Sequence, residues 1–337
     1  MRKHLVSALL GIVLLLGLAG CGAKSQEDVV KALDEKMDEV SSYQATAKLT
    51  LKTGAEPQVY DVEIWYKQPH YYRVSLKNDE KNQNQMILRN DEGVFVITPA
   101  LNKSFRFQSD WPKNTSQAYL YESLVKDILS DKKASFKAKG DHYVFETKTN
   151  YPNSQVIPKQ EITLNKKDLA PVSVKVMDTD MKALLTVQFS KIEFNKKFDK
   201  NAFDTTKNMT GARLEVPTMA KGENEAAEVM YPINMPTGVE QIDEKEIATK
   251  DGKRVIMTFG GKKSFTLIQE AAQALPTFGS SALVNGEPVD LGFAIGALTD
   301  HSLTWTYKGI EFMIASENLT KDEMVMIAQS VQGKEAK

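Results

Sequence analysis

The 337-residue chain has one cysteine and four histidines, and both scarcities exclude chemistry. A single cysteine rules out an internal disulfide framework and a thiolate zinc cluster. His4, His70, His142 and His301 are too dispersed for a metal motif. An excess of one charge sign is also missing, since 43 Lys and Arg stand against 44 Asp and Glu. That balance lacks the footprint of a polyelectrolyte binder, so no nucleic-acid partner is expected. The longest apolar run, residues 5–18, falls short of the roughly 20 residues of a membrane span. No Gly-x-Ser-x-Gly elbow, His-Glu-x-x-His helix or calcium-loop pattern occurs, and the expectation is a protein that is not an enzyme. What is present is 42% hydrophobic and 26% charged residues, enough apolar matter for a sizeable core. The length suits two domains or one large one.

Three weak signals read as structure. Gly260-Gly261-Lys262-Lys263-Ser264 lacks the first glycine of the eight-residue phosphate-loop pattern and reads as a hairpin turn. Asp178-Thr179-Asp180 reads as a solvated turn in preference to a cation site. His70 and His142 lie in turns with no visible partner, whereas general-base work needs a positioned acceptor and a cleft.

The amino end reads as an address. Arg2, Lys3 and His4 precede the apolar run, the order of a secretory signal peptide over residues 1–20. Leu18-Ala19-Gly20-Cys21 closes it and resembles the bacterial lipobox. That resemblance implies a diacylglyceryl thioether on Cys21 and no other cofactor. Each acyl methylene contributes about 0.8 kcal/mol, so the chain is expected to be held at the extracytoplasmic face of the cell membrane by this anchor.

Residues 25–41 read as an amphipathic helix with Val29, Val30, Leu33, Met37 and Val40 on one side and a Ser25/Asp28 capping box. Tyr43, Ala45, Ala47, Leu49 and Leu51 then alternate with polar neighbours, as do Tyr60, Val62, Ile64 and Tyr66, giving strands with one dry face. Shorter strands are expected over residues 72–76, 85–88, 94–98, 104–107, 143–147, 160–164, 172–177 and 184–194, with a second helix over 116–129. The expected fold is α+β: a curled antiparallel sheet, an incomplete barrel wrapped on helices, over residues 21–207. Residues 208–229, rich in small and charged side chains, read as a linker. Residues 230–337 read as a small α+β domain, with Asp251-Gly252, Asn285-Gly286 and Lys308-Gly309 as hairpin turns and Thr320/Glu323 capping the last helix.

Within this pattern, Trp65-Tyr66-Lys67-Gln68-Pro69-His70-Tyr71-Tyr72-Arg73 resembles the strand–turn–strand signature of the LolA, LolB and RseB superfamily. Phe189-Ser190-Lys191-Ile192-Glu193-Phe194-Asn195, followed by Phe198, Asp199 and Phe203, is similar to that family's closing strand and exit. Tyr231-Pro232 with Met235-Pro236-Thr237-Gly238, and Leu303-Thr304-Trp305, resemble the small carboxy-terminal domain of RseB-like and related Gram-positive exported proteins. The combination looks most like the YdcC-type sporulation lipoproteins of endospore-forming bacteria. The resemblance implies an apolar cradle for a lipid or acyl ligand, lined by Tyr43, Leu49, Leu51, Tyr60, Ile64 and Tyr66. Apolar alternation equally describes an ordinary packed core, and both readings stay open. The competing function is an adaptor that presents this scaffold to an envelope or sporulation protein partner.

Overall fold

The computed structural model describes residues 24–52, 57–78, 83–113, 116–151, 154, 156–215, 229–250, 252–275 and 281–333. The leader, Cys21 and residues 216–228 of the expected linker lie outside the described residues. Helix α1 (Gln26–Glu39) begins where the capping box places it. Ser25 accepts from the Asp28 N–H and Asp28 reaches back to the Ser25 backbone, satisfying two orphan donors of the first turn.

Two meanders follow. The first is β1 (Ser42–Leu51), β2 (Gln58–Lys67), β3 (Tyr71–Asn78), β4 (Gln83–Asn90), β5 (Gly93–Thr98) and β6 (Lys103–Phe107). After helix α2 (Tyr121–Ser130), the second is β7 (Ser135–Lys139), β8 (His142–Lys148), β9 (Lys159–Asn165), β10 (Pro171–Met177) and β11 (Ala183–Phe194). Antiparallel pairing of β1 with β11 joins them into one long open sheet that does not close into a barrel. Alternation sets its faces: Tyr43, Ala45, Ala47, Leu49 and Leu51 are all buried, and β2 repeats the pattern. Val29 and Leu33 of α1 and Leu124, Val125 and Ile128 of α2 are buried in the same apolar cluster. Helix α2 starts later than the periodicity suggests, because Ser116 is engaged elsewhere. Its N–H bonds Asn150 O and its hydroxyl bonds Asp127, so residues 116–120 run as a buried, non-helical approach.

The segment read as a linker begins as structure. Helix α3 (Thr205–Glu215) and the turns before it lie on the opposite face of the sheet, where Phe198, Phe203 and Ala212 cover Met86, Leu88, Phe95 and Ile97. Arg73 ties it down: Nε donates to Asn208 Oδ1 at 2.9 Å and Nη1 to Glu63 at 2.7 Å, while the guanidinium sits 4.4 Å over the Trp65 ring.

The remainder builds a second open sheet. Strands β12 (Met230–Pro232), β13 (Val239–Thr249), β14 (Gly252–Gly261), β15 (Phe265–Ala271), β16 (Ala282–Val284), β17 (Glu287–Asp290), β18 (Ile295–Leu298), β19 (Ser302–Tyr307) and β20 (Ile310–Ala315) precede helix α4 (Lys321–Gln329) and β21 (Val331–Gly333). Seven of these pair in the order β13-β14-β15-β20-β19-β18-β17, and β12 pairs with β21. The Thr320/Glu323 capping box forms, and Met324, Val325, Ile327 and Ala328 are buried. The 260–264 turn joins β14 to β15, and Lys308-Gly309 joins β19 to β20, both residues with positive φ.

Asn285-Gly286 corrects the expectation of a hairpin. It follows β16, which adds in parallel to β6 of the first sheet, and precedes β17, which pairs with β18 of the second. The split at residues 207 and 230 is therefore crossed by β16 and by one continuous apolar cluster running from Leu33 and Leu49 to Met257 and Met324.

Candidate functional site

The six residues expected to line a cradle are buried side chains of the core. Leu49 and Ile64 are sealed, and Tyr43, Leu51, Tyr60 and Tyr66 are at most 6% exposed. Trp111, Tyr119 and Tyr121 are buried with them in the same apolar cluster.

Two of the six form a polar-tipped aromatic cluster instead. Tyr43 and Tyr66 lie 5.3 Å apart, Tyr66 and Tyr72 lie 5.0 Å apart, and Tyr121 packs edge-on to Tyr43. At their centre is Glu122, in the first turn of α2, which accepts from the Tyr43 hydroxyl at 2.7 Å. The same hydroxyl accepts from the Tyr121 N–H at 3.2 Å. Burial pushes the Glu122 carboxyl up to about 7, against the lowering effect of its bonds to Tyr43 and Tyr72. Its Oε1 has no hydrogen-bond partner among the described residues. A neutral carboxylic acid suits such a site better than a carboxylate.

A second buried acid comes from the other sheet. Asp290, at the end of β17, accepts from the Gly292 N–H at 2.6 Å and faces the Tyr119 hydroxyl. Burial raises its pKa, and it raises that of Asp127, which accepts from Ser116 and Gln160. Of these acids, Asp290 ties the seam between the two sheets through Tyr119. Polar bonds also hold it: Ile295 N–H to Gln85 at 2.7 Å, Asn102 Nδ2 to Leu275 O at 2.7 Å, and Ser104 with Ser281 at 2.8 Å.

The seam holds a half-open pocket of about 290 Å³. Tyr60, Leu76, Ala100 and Leu101 form its first wall, and Phe293, Ala294 and Tyr307 its second. The rings of Phe293 and Tyr307 pack 4.7 Å apart, and burial pushes the Tyr307 hydroxyl up to about 12. Asn84 and Lys308 are among its polar lining residues, and the buried Asn84 Oδ1 lacks a hydrogen-bond partner among the described residues. Of the expected cradle residues, Tyr60 alone reaches this cavity. An apolar cavity of about 150 Å³ takes one benzene, so this one has room for roughly a dozen carbons.

The remaining sequence signals fall into place as structure. Asp178 Oδ1 accepts the N–H groups of Asp180 and Lys182, the self-satisfied turn expected there. His70 does have a partner, contrary to expectation: Asp91 lies 2.9 Å from Nε2 and also accepts from the Tyr71 hydroxyl, on an exposed surface. Among the described residues no three His, Cys, Asp or Glu side chains converge on a point that would hold a metal ion.

Residues 1–203 match a protein family described as "Sporulation protein YdcC-like". This chain belongs to that family. It is 57% identical over 336 residues to "Sporulation protein YdcC" of Bacillus subtilis (strain 168), an alignment covering 100% of this chain and 99% of that one. Among solved structures, the MucA/MucB complex of Pseudomonas aeruginosa is similar at 12% identity and a TM-score of 0.34, covering 90% of this chain and 100% of that one. The CwlD amidase of Clostridioides difficile with the GerS lipoprotein gives 16% identity and a TM-score of 0.31 over 53% of this chain and 98% of that one. A LolA superfamily protein from Nitrosomonas europaea gives 13% and 0.30 over 53% and 98%.

Sequence reasoning missed Glu122, Asp290 and the seam. Glu122 gave a faint signal, as an acid at the start of an apolar helical stripe. Asp290 follows Val289 in a short strand and gave none, because Tyr119, its partner across the seam, is more than a hundred residues away.

Proposed function

We propose that this family member is an extracytoplasmic lipoprotein, held to the membrane by a diacylglyceryl thioether on Cys21, that holds one small apolar group in the seam cavity during sporulation. The observation that carries this reading is the largely apolar, half-open pocket of about 290 Å³ between the two sheets. Its size sits at the lower edge of ligand pockets, about 300–1,000 Å³, and suits a single acyl chain or bulky apolar side chain better than a whole phospholipid. The walls offer area without directional contacts, so selectivity among apolar guests is broad. Lys308 at the rim favours a guest with an anionic or strongly accepting head.

The second reading is an adaptor that docks an envelope protein, with a partner side chain as the guest. The burial of Tyr43, Leu49 and Ile64 in the core of the first sheet supports it.

Native mass spectrometry of the full chain from mild detergent separates the two. A co-purified acyl species that disappears in Ala294→Phe and in Ala100→Leu, both of which fill the cavity, supports the first reading. A chain free of any such species in every preparation would sink it and leave the adaptor.

A further inference from the structure

Strand β13 is the free edge of the second sheet, pairing with β14 on one side and with no strand on the other among the described residues. It is eleven residues long, and every position after Val239 is exposed, so neither of its faces is covered. Two of the most exposed large apolar residues lie on it, Ile242 at 67% and Ile247 at 47%. In a regular strand a spacing of five would send them to opposite faces. The register shifts between Gln241 and Asp243, and this bulge resets the alternation. Ile242 then lies over Gly260, where an added Cβ would stand 3.1 Å from its Cδ1, and Ile247 pairs beside Arg254. Gly260 and Arg254 belong to the outer face of β14, opposite buried Val255, Met257 and Phe259. The outer row continues through half-buried Ile256 and Ile268 to exposed Met313.

The other face of β13 is acidic. Glu244 accepts from Tyr231 and Gln241, and Glu246 pairs with Lys253. The strand as a whole carries Glu240, Asp243, Glu244 and Glu246 against Lys245 alone. A strand added to this edge would meet a backbone ladder, Ile242 and Ile247 beside the mutually paired Asp243 and Lys245 on one side, and Glu244 and Glu246 on the other.

We infer that β13 is a strand-addition site for an extended segment of a partner protein whose residues alternate between apolar and Lys or Arg. A second copy of this chain fits poorly: antiparallel pairing of two β13 strands keeps like faces together and sets Glu244 and Glu246 against the same carboxylates. The site is remote from the seam cavity in its residues and stands whether or not that cavity holds a guest.

The test uses the full chain in a non-ionic detergent and the nine-residue peptide Ac-Lys-Val-Lys-Ile-Lys-Val-Lys-Ile-Lys-amide, followed by fluorescence anisotropy. Controls are the same peptide N-methylated at alternate amides and one with Glu for every Lys. Binding is expected to weaken on the order of tenfold for the N-methylated peptide, since it cannot form the ladder, and to fall below detection for the Glu peptide. The double variant Ile242→Lys, Ile247→Lys, which changes only exposed side chains and is checked for unchanged melting, is expected to lose binding comparably. Equal affinity for the N-methylated peptide, binding unaffected by the double variant, or a homodimer that the double variant dissolves would each overturn the proposal.

Discussion

Replacing Glu122 by Gln tests the buried acid directly. The carboxyl titrates near 7 in the folded chain, against 4.5 ordinarily, because burial favours its neutral form. Below pH 4.5 folded and unfolded chains are both protonated here, and the contribution to stability is complete. As pH rises from 4.5 to about 7 the unfolded chain releases this proton first, and stability falls by about 1.4 kcal/mol per pH unit. Above about 7 the loss levels off at a total of about 3 kcal/mol. Gln keeps the shape and can still accept from Tyr43, but it does not titrate. The difference in unfolding free energy between Glu122→Gln and the parent should therefore move toward the variant by about 2–3 kcal/mol between pH 4.5 and 8. Denaturant titrations across that range supply the difference, and taking it between two chains removes other acids, including Asp127 and Asp290, which are raised in the same direction. A difference that stays constant with pH would refute the assignment of a neutral Glu122 in the folded chain.

Three further outcomes follow from the packing. Arg73→Ala should cost about 1–3 kcal/mol, because it removes the bonds to Glu63 and to Asn208 Oδ1 and loosens the strap of residues 198–215, while Glu63 keeps its bond from Gln44; thermal melting measures it, with Glu63→Gln expected to cost less. Gly292→Ala should destabilise by about 1–3 kcal/mol, since Gly292 has a φ of +85° and its Cβ would stand 2.8 Å from Leu51 Cδ1, and hydrogen exchange should rise first along the seam. Cys21→Ala should leave the chain without covalent lipid and release it from membranes, as read by fractionation with radiolabelled palmitate; an anchored, labelled variant would overturn the lipobox reading.

Alternation and capping carried most of the local structure into view. The dry faces of β1 and β2, the Ser25/Asp28 and Thr320/Glu323 boxes, and the Lys308-Gly309 hairpin each rest on interactions within a few residues. Strands without a dry face were invisible for the same reason: β7 and β13 are almost wholly exposed and owe their conformation to a neighbour's hydrogen bonds. Asn285-Gly286 misled because a turn dipeptide specifies a bend without saying which sheet receives the next strand.

The candidate site divides along the same line. Sequence alone settled that this chain alternates its way into an open sheet with helices to cover it, because side-chain period and capping are local properties. Whether the covered face was hollow or solid depended on the summed volumes of residues far apart in the chain, and only tertiary packing decided that Tyr43, Leu49 and Ile64 would be sealed. A pocket lies at the seam, where Tyr60 of the first sheet and Tyr307 of the second both line it, and only the tertiary structure brings them there.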